Sequence, residues 1–175
     1  MTRAQLEHVL RAAGAIAQED LIVVIGSQAV LGAYPEAPGA LTVSLEVDLY
    51  PLKAPEKAEL IDASIGERSP FHDTFGYYAH GVGPETAYLP YRWLTRAVEV
   101  NNSNTGGVTG LCLHPIDLAV SKLLAGRPKD LDFVAVMARH GLVLRSQLEE
   151  MLAELSDSHR ESLLKNMASM FDPAS

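Results

Sequence analysis

A single cysteine, Cys112, stands in this 175-residue chain, so no internal disulfide can form and the fold must be held by its core. That usage also points to a reducing cytoplasm. Cys112 sits in the apolar run Leu111-Cys112-Leu113 and reads as a small core residue. An excess of cations is missing too: 14 Lys and Arg face 22 Asp and Glu, a formal charge of -8. Such a chain is not built as a broad nucleic-acid-binding surface. A local basic patch is still open to it, since Arg92, Arg96, Lys122, Arg127 and Lys129 lie in one region of sequence. No apolar stretch reaches membrane-spanning length. The N-terminus carries Glu7, Glu19 and Asp20 and lacks the charge-then-apolar pattern of a signal peptide. No two of the six histidines have metal-pair spacing, the nearest (His72 and His80) being eight apart, which argues against zinc. No internal repeat, no low-complexity segment and no Gly-x-Ser-x-Gly elbow is present, so Ser27 is a poor hydrolase nucleophile.

What is there is an ordinary globular composition, 47% hydrophobic and 21% charged, with clear periodicity. Residues 2–18 read as a helix capped by Thr2, with Leu6, Val9, Leu10, Ala13 and Ile16 on one face. Residues 21–25 are a short β-branched run, the mark of a strand buried on both faces. Gly26-Ser27 turns the chain into a short helix over 28–34, and residues 35–39 form a loop. Residues 41–49 read as a second strand ended by Pro51, and 55–65 as a helix with Leu60, Ile61 and Ile65 on its apolar face. Aromatics flank His80-Gly81-Val82-Gly83-Pro84 over residues 75–88, which suggests two strands joined by a turn. Residues 93–100 and 108–113 read as strands either side of a polar loop. From Pro115 the pattern is helical, over 115–126, 130–139, 146–155 and 158–170, with serines placed to cap the last two. Residues 172–175 are expected to fray.

The chemistry concentrates between residues 24 and 50. In a strand, residues two apart share a face, so Glu46 and Asp48 project together while Leu45, Val47 and Leu49 face the core. Adjacent carboxylates repel unless a cation or proton lies between them, which suits a hard divalent ion. Acid-x-acid is also what the solvated face of an edge strand carries. The order is what distinguishes this chain: apolar strand, Gly-Ser, short helix, then acid-x-acid on a strand.

That order resembles the nucleotidyltransferase superfamily related to DNA polymerase β. The resemblance implies that Gly26 and Ser27 contact a triphosphate and that Glu46 and Asp48 hold Mg2+ or Mn2+. The segment His114-Pro115-Ile116-Asp117 through Ser121-Lys122 to Arg127-Pro128-Lys129-Asp130-Leu131-Asp132 resembles the nucleotidyltransferase-like proteins of abortive-infection and toxin–antitoxin systems. By that likeness Lys122 and Arg127 contact the nucleotide phosphates, and Asp130 or Asp132 completes the acidic centre. The two regions extend the resemblance over roughly residues 15 to 145. The chain departs from the superfamily in carrying Glu46 where the first acid is usually Asp. A third acid on a later strand has one strand-borne candidate, Glu99, with Asp73 in a loop.

The expected fold is α/β (α+β): a minimal nucleotidyltransferase fold with a small mixed sheet over residues 1–113 and a C-terminal helical bundle over 114–175. The expected activity is metal-dependent transfer of a nucleoside monophosphate from a nucleoside triphosphate to an acceptor hydroxyl on RNA (a tRNA end included), protein or a small molecule. The resemblance adds a toxin role with a small antitoxin partner. The alternative is a catalytically silent binding or regulatory module of the same fold. Convergence of Glu46, Asp48 and a third carboxylate on one point is the geometry that would separate the two.

Overall fold

The computed structural model describes residues 1–171; the fraying expected at 172–175 lies outside them. The chain begins with α1 (Arg3–Ala17), where the Thr2 side chain accepts from the Gln5 backbone and the Gln5 side chain closes the capping box. Next comes β1 (Leu21–Ile25), whose last four residues are buried. A short helical turn (Ser27–Ala29) leads into α2 (Val30–Ala33). Then follow β2 (Glu46–Pro51), α3 (Ala58–Ile65), α4 (Pro70–Phe75), β3 (Tyr78–Gly81), α5 (Trp93–Arg96), β4 (Val98–Val100) and β5 (Thr109–Cys112). The remainder is helical: α6 (Pro115–Ala125), α7 (Pro128–Arg139), α8 (Arg145–Met151) and α9 (Asp157–Phe171). No helix among the described residues is long and apolar enough to cross a membrane.

The five strands form one mixed sheet in the order β3-β2-β1-β5-β4. β1 is its centre, antiparallel to β2 and parallel to β5. A parallel neighbour needs a crossover, and the long path from β1 to β5 supplies it. β3 lies parallel to β2 at one edge, and β4 antiparallel to β5 at the other. α1 and α3 pack together and reach the sheet, and α6 is the helix on which α7, α8 and α9 assemble. Cys112 is fully buried and free, and burial pushes its thiol up to about 12.

Several elements differ from the sequence expectation. β2 starts at Glu46 rather than 41, and Leu41 is buried from a separate short turn (Gly39–Leu41). Leu45 is therefore exposed, not on the core face. β2 runs two residues past the expected 49 and ends at Pro51, the residue expected to stop it. In α3, Ile61 and Ile65 are buried but Leu60 faces solvent. The expected strand pair over 75–88 is one strand, β3, preceded by α4 and followed by a turn (Pro84–Thr86). The expected strand over 93–100 is split, because Arg92 takes a left-handed conformation and starts the single-turn α5 before β4. The N-cap of α8 is Leu144, whose backbone N–H is taken by the Gln147 side chain, so Ser146 lies inside the helix.

The helical segment is tied to the sheet segment by a buried charge. Asp117 on α6 is fully buried, and Arg96 on α5 donates to both its oxygens, Nη2 at 2.6 Å and Nε at 3.0 Å. The same guanidinium reaches Glu154, 3.2 Å away, beyond α8. Bidentate geometry of this kind suits arginine and not lysine. Removing Arg96 leaves an uncompensated buried carboxylate, which costs about 3–5 kcal/mol. Arg96→Ala is therefore expected to lower the calorimetric melting temperature by roughly 6–20 °C, whereas Glu154→Ala, at a partly exposed partner, shifts it by no more than about 4 °C.

Candidate functional site

Strand register builds the site. Ile25, the last residue of β1, pairs with Asp48 on β2, and Asp48 pairs in turn with His80 on β3. Val47 and Leu49 are fully buried, so their neighbours Glu46 and Asp48 project together to the other side. Gly26 follows at once with φ 69° and ψ -170°, a conformation essentially confined to glycine. A Cβ there would stand 2.2 Å from Asp48 Oδ2. The bare backbone thus lies directly against the carboxylate.

Each acid has one cross-strand partner. The Tyr78 hydroxyl donates to Glu46 Oε2 at 3.0 Å, and burial together with that carboxylate pushes the phenol up to about 12. The His80 Nδ1–H donates to Asp48 Oδ1 at 2.8 Å. Burial raises the Asp48 pKa and the charge of Glu46 adds to that rise, while the His80 hydrogen bond and Lys122 oppose it.

The second half of the site is the corner between α6 and α7. His114 caps α6 by accepting from the Ile116 backbone, and Gly126 ends the helix at φ 64°. Lys122 is only 9% exposed; its Nζ donates to Asp130 Oδ1 at 3.0 Å and lies 4.5 Å from the centre of the Phe133 ring. Arg127 Nε donates to the other Asp130 oxygen. Burial lowers the Lys122 pKa, and Asp130 pulls the other way. Burial alone would raise Asp130, but the hydrogen bonds from Arg127 and Lys122 outweigh it and hold the carboxylate below its usual range. Asp130 thus fixes two cations in place.

Both halves open into one cleft of about 470 Å³. Gly26, Glu46, Asp48, Lys122, Arg127 and Asp130 all line it. Ser27 is half-buried in the turn behind Gly26 and is not part of the wall. Asp132 and Asp73 are exposed on α7 and α4 and lie outside the cleft. Glu99 is exposed on β4, the far edge of the sheet from β2, and no third carboxylate stands with Glu46 and Asp48: among the described residues no three His, Cys, Asp or Glu side chains form a metal-holding group. The cleft also holds Lys129 of the basic stretch and the pocket candidate Tyr88, together with four residues that the sequence does not mark as site residues: His80, Glu85, Ser121 and His159. His80 was the most accessible of these, since it shares the strand parity of Tyr78, but its glycine neighbour read as a turn.

A family model described as "nucleotidyltransferase of unknown function (DUF6036)" matches residues 4–170. The chain belongs to that family. No curated protein and no solved structure matches the chain. In this family member, the Gly26–Asp48 contact and the Lys122–Asp130–Arg127 trio are the two constructions facing the cleft.

Two outcomes follow from the geometry of the first half. Gly26→Ala puts an L residue into a glycine backbone and a methyl carbon into Asp48, and is expected to cost about 1–3 kcal/mol by denaturant unfolding. Asp48→Asn is expected to do the opposite. A carboxyl whose pKa is raised by folding destabilises the folded state once it is ionised, and the effect vanishes below the unfolded pKa. The variant should melt a few degrees higher at pH 7, about 2–4 °C per kcal/mol recovered, and the gain should disappear as pH falls below about 4.

Proposed function

We propose that this cleft binds a nucleoside triphosphate with a hard divalent cation, Mg2+ or Mn2+, and moves the nucleoside monophosphate onto an acceptor hydroxyl. The observation that carries the reading is the contact of Gly26 with Asp48 in a cleft shared with Lys122. A glycine backbone lets a phosphate approach closely, an acid pair accepts the cation, and a buried lysine answers phosphate charge.

Glu46 and Asp48 would hold the cation. Their donors are all oxygen, and Mg2+ is commonly held by one or two carboxylates with substrate phosphate and water completing its shell. When bound, such an ion neutralises charge on the transferring phosphoryl group and polarises its oxygens. Lys122 is kept cationic and oriented by Asp130, and Arg127 by the same carboxylate. Tyr78 and His80 fix the rotamers of Glu46 and Asp48 through their hydrogen bonds. Phosphoryl transfer demands little beyond such positioning and charge. The acceptor class and a toxin role beside a small protein partner are proposed from the resemblance alone.

Among the described residues no third carboxylate converges with Glu46 and Asp48, which counts against transfer and favours a second reading, a module that binds nucleotide without transferring it. One experiment decides. The protein is incubated with each α-labelled nucleoside triphosphate, Mg2+ or Mn2+, total RNA, protein extract and small hydroxyl acceptors. Transfer to one acceptor class is expected, falling by at least about a hundredfold in Asp48→Ala. Undiminished transfer by that variant overturns the assignment of Asp48. Nucleotide binding with no transfer to any acceptor establishes the silent module.

A further inference from the structure

Two aromatic side chains in the cleft have no part in the chemistry above. Tyr88 follows the turn after β3, and His159 lies in the first turn of α9, 71 residues further on. Folding brings them together as an edge-to-face pair, ring centres 4.6 Å apart at 71°. Both line the same cleft as Gly26, Asp48 and Lys122, as do the apolar Ala87 and Leu124. Both rings are only partly buried. Neither the Tyr88 hydroxyl nor the His159 nitrogens make a hydrogen bond among the described residues.

An aromatic pair that served only packing would gain more from full burial. Edge-to-face contact covers one face of one ring only, and a planar heteroaromatic ring gains most from a remaining face. Phosphate charge and a planar ring are the two ends of a nucleotide, joined by its sugar, and this cleft offers cations for the first and aromatic rings for the second. Its volume, about 470 Å³, falls in the range of small-molecule and cofactor sites.

We propose that Tyr88 and His159 form a base subsite, on which the nucleobase stacks while the polyphosphate reaches Gly26 and Lys122. This rests on the reading that the cleft holds a nucleotide. Stacking uses the π face that every base has, so the subsite favours nucleotides over bare polyphosphate without selecting one base. His159 also makes α9 a functional wall of the site, not only a packing element on α6.

The test compares two probes by titration calorimetry, each with Mg2+: the four nucleoside triphosphates and inorganic tripolyphosphate. The wild-type protein is expected to bind the nucleotides about tenfold or more tighter than tripolyphosphate. Tyr88→Ala and His159→Ala are each expected to remove most of that preference while leaving tripolyphosphate binding unchanged, which also shows that the variants are folded. Tyr88→Phe and His159→Phe keep a ring and should keep the preference. The inference is overturned if the alanine variants bind nucleotides as the wild type does, or if they lose tripolyphosphate to the same extent. Equal binding of both probes by the wild type also overturns it and leaves the nucleotidyltransferase reading standing. Binding of neither probe removes that reading itself, and the base subsite with it.

Discussion

The pairing of β1 with β2 is the constraint on which the rest of the molecule depends. It places Ile25 opposite Asp48 and therefore Gly26 against the Asp48 carboxylate. Because side chains alternate along a strand, a slip of one residue would send both acids into the core and expose Val47 and Leu49, which are now fully buried. The register is thus enforced by the hydrophobic face, and the acids receive their position from it. The fold tolerates a destabilised carboxylate at Asp48, since burial and the neighbouring Glu46 both disfavour its ionised form. Groups held in such environments concentrate at working sites.

The α6–α7 corner meets a different requirement, namely keeping a buried lysine charged. Desolvation works against the Lys122 ammonium, and a carboxylate that is itself buried would be costly alone. Asp130 resolves both by accepting from Lys122 and Arg127 together. The tight turn that makes this possible comes from Gly126 in the left-handed region and Pro128 at the start of α7. Asp117, five residues before Lys122 on the same helix, is taken by Arg96 instead. One helix therefore carries a structural charge pair and a cleft-facing one without cross-talk between them.

Much of this was legible in the chain because two signals are local. Acid-x-acid with buried Val47 and Leu49 is a period-two pattern, and Gly26 after a β-branched run marks a strand ending in a close approach. The α6–α7 corner was legible through its proline and glycine punctuation and the resemblance it carries. The imidazole residues of the cleft were not. In the sequence His80 reads as part of a turn because Gly81 and Gly83 follow it. Gly81 is in fact the last residue of β3, where a Cβ would stand 2.0 Å from the Ala58 carbonyl oxygen of α3. It is a glycine of close packing, not of turning, and only the tertiary neighbour reveals which. The pairing of Tyr88 with His159 is invisible for a plainer reason: it depends on where α9 settles against α6.

The position of His80 bears on what the acid pair can hold. Where a third carboxylate would add a donor and a negative charge, this sheet places an imidazole on Asp48 Oδ1. Two carboxylates, each already hydrogen-bonded by a neighbour on β3, make an incomplete cage for a small octahedral cation. Under the proposed function the missing donors come from the polyphosphate, so cation and nucleotide assemble the site together. The cations on α6 and α7 then matter twice, once for the charge they oppose and once for holding the substrate oxygens that complete the metal's shell. Under that proposal the same coupling gives a role to the anchoring of Lys122 by Asp130. A mobile ammonium would answer phosphate charge nearly as well, but it would not fix the phosphate where two strand carboxylates can share its cation.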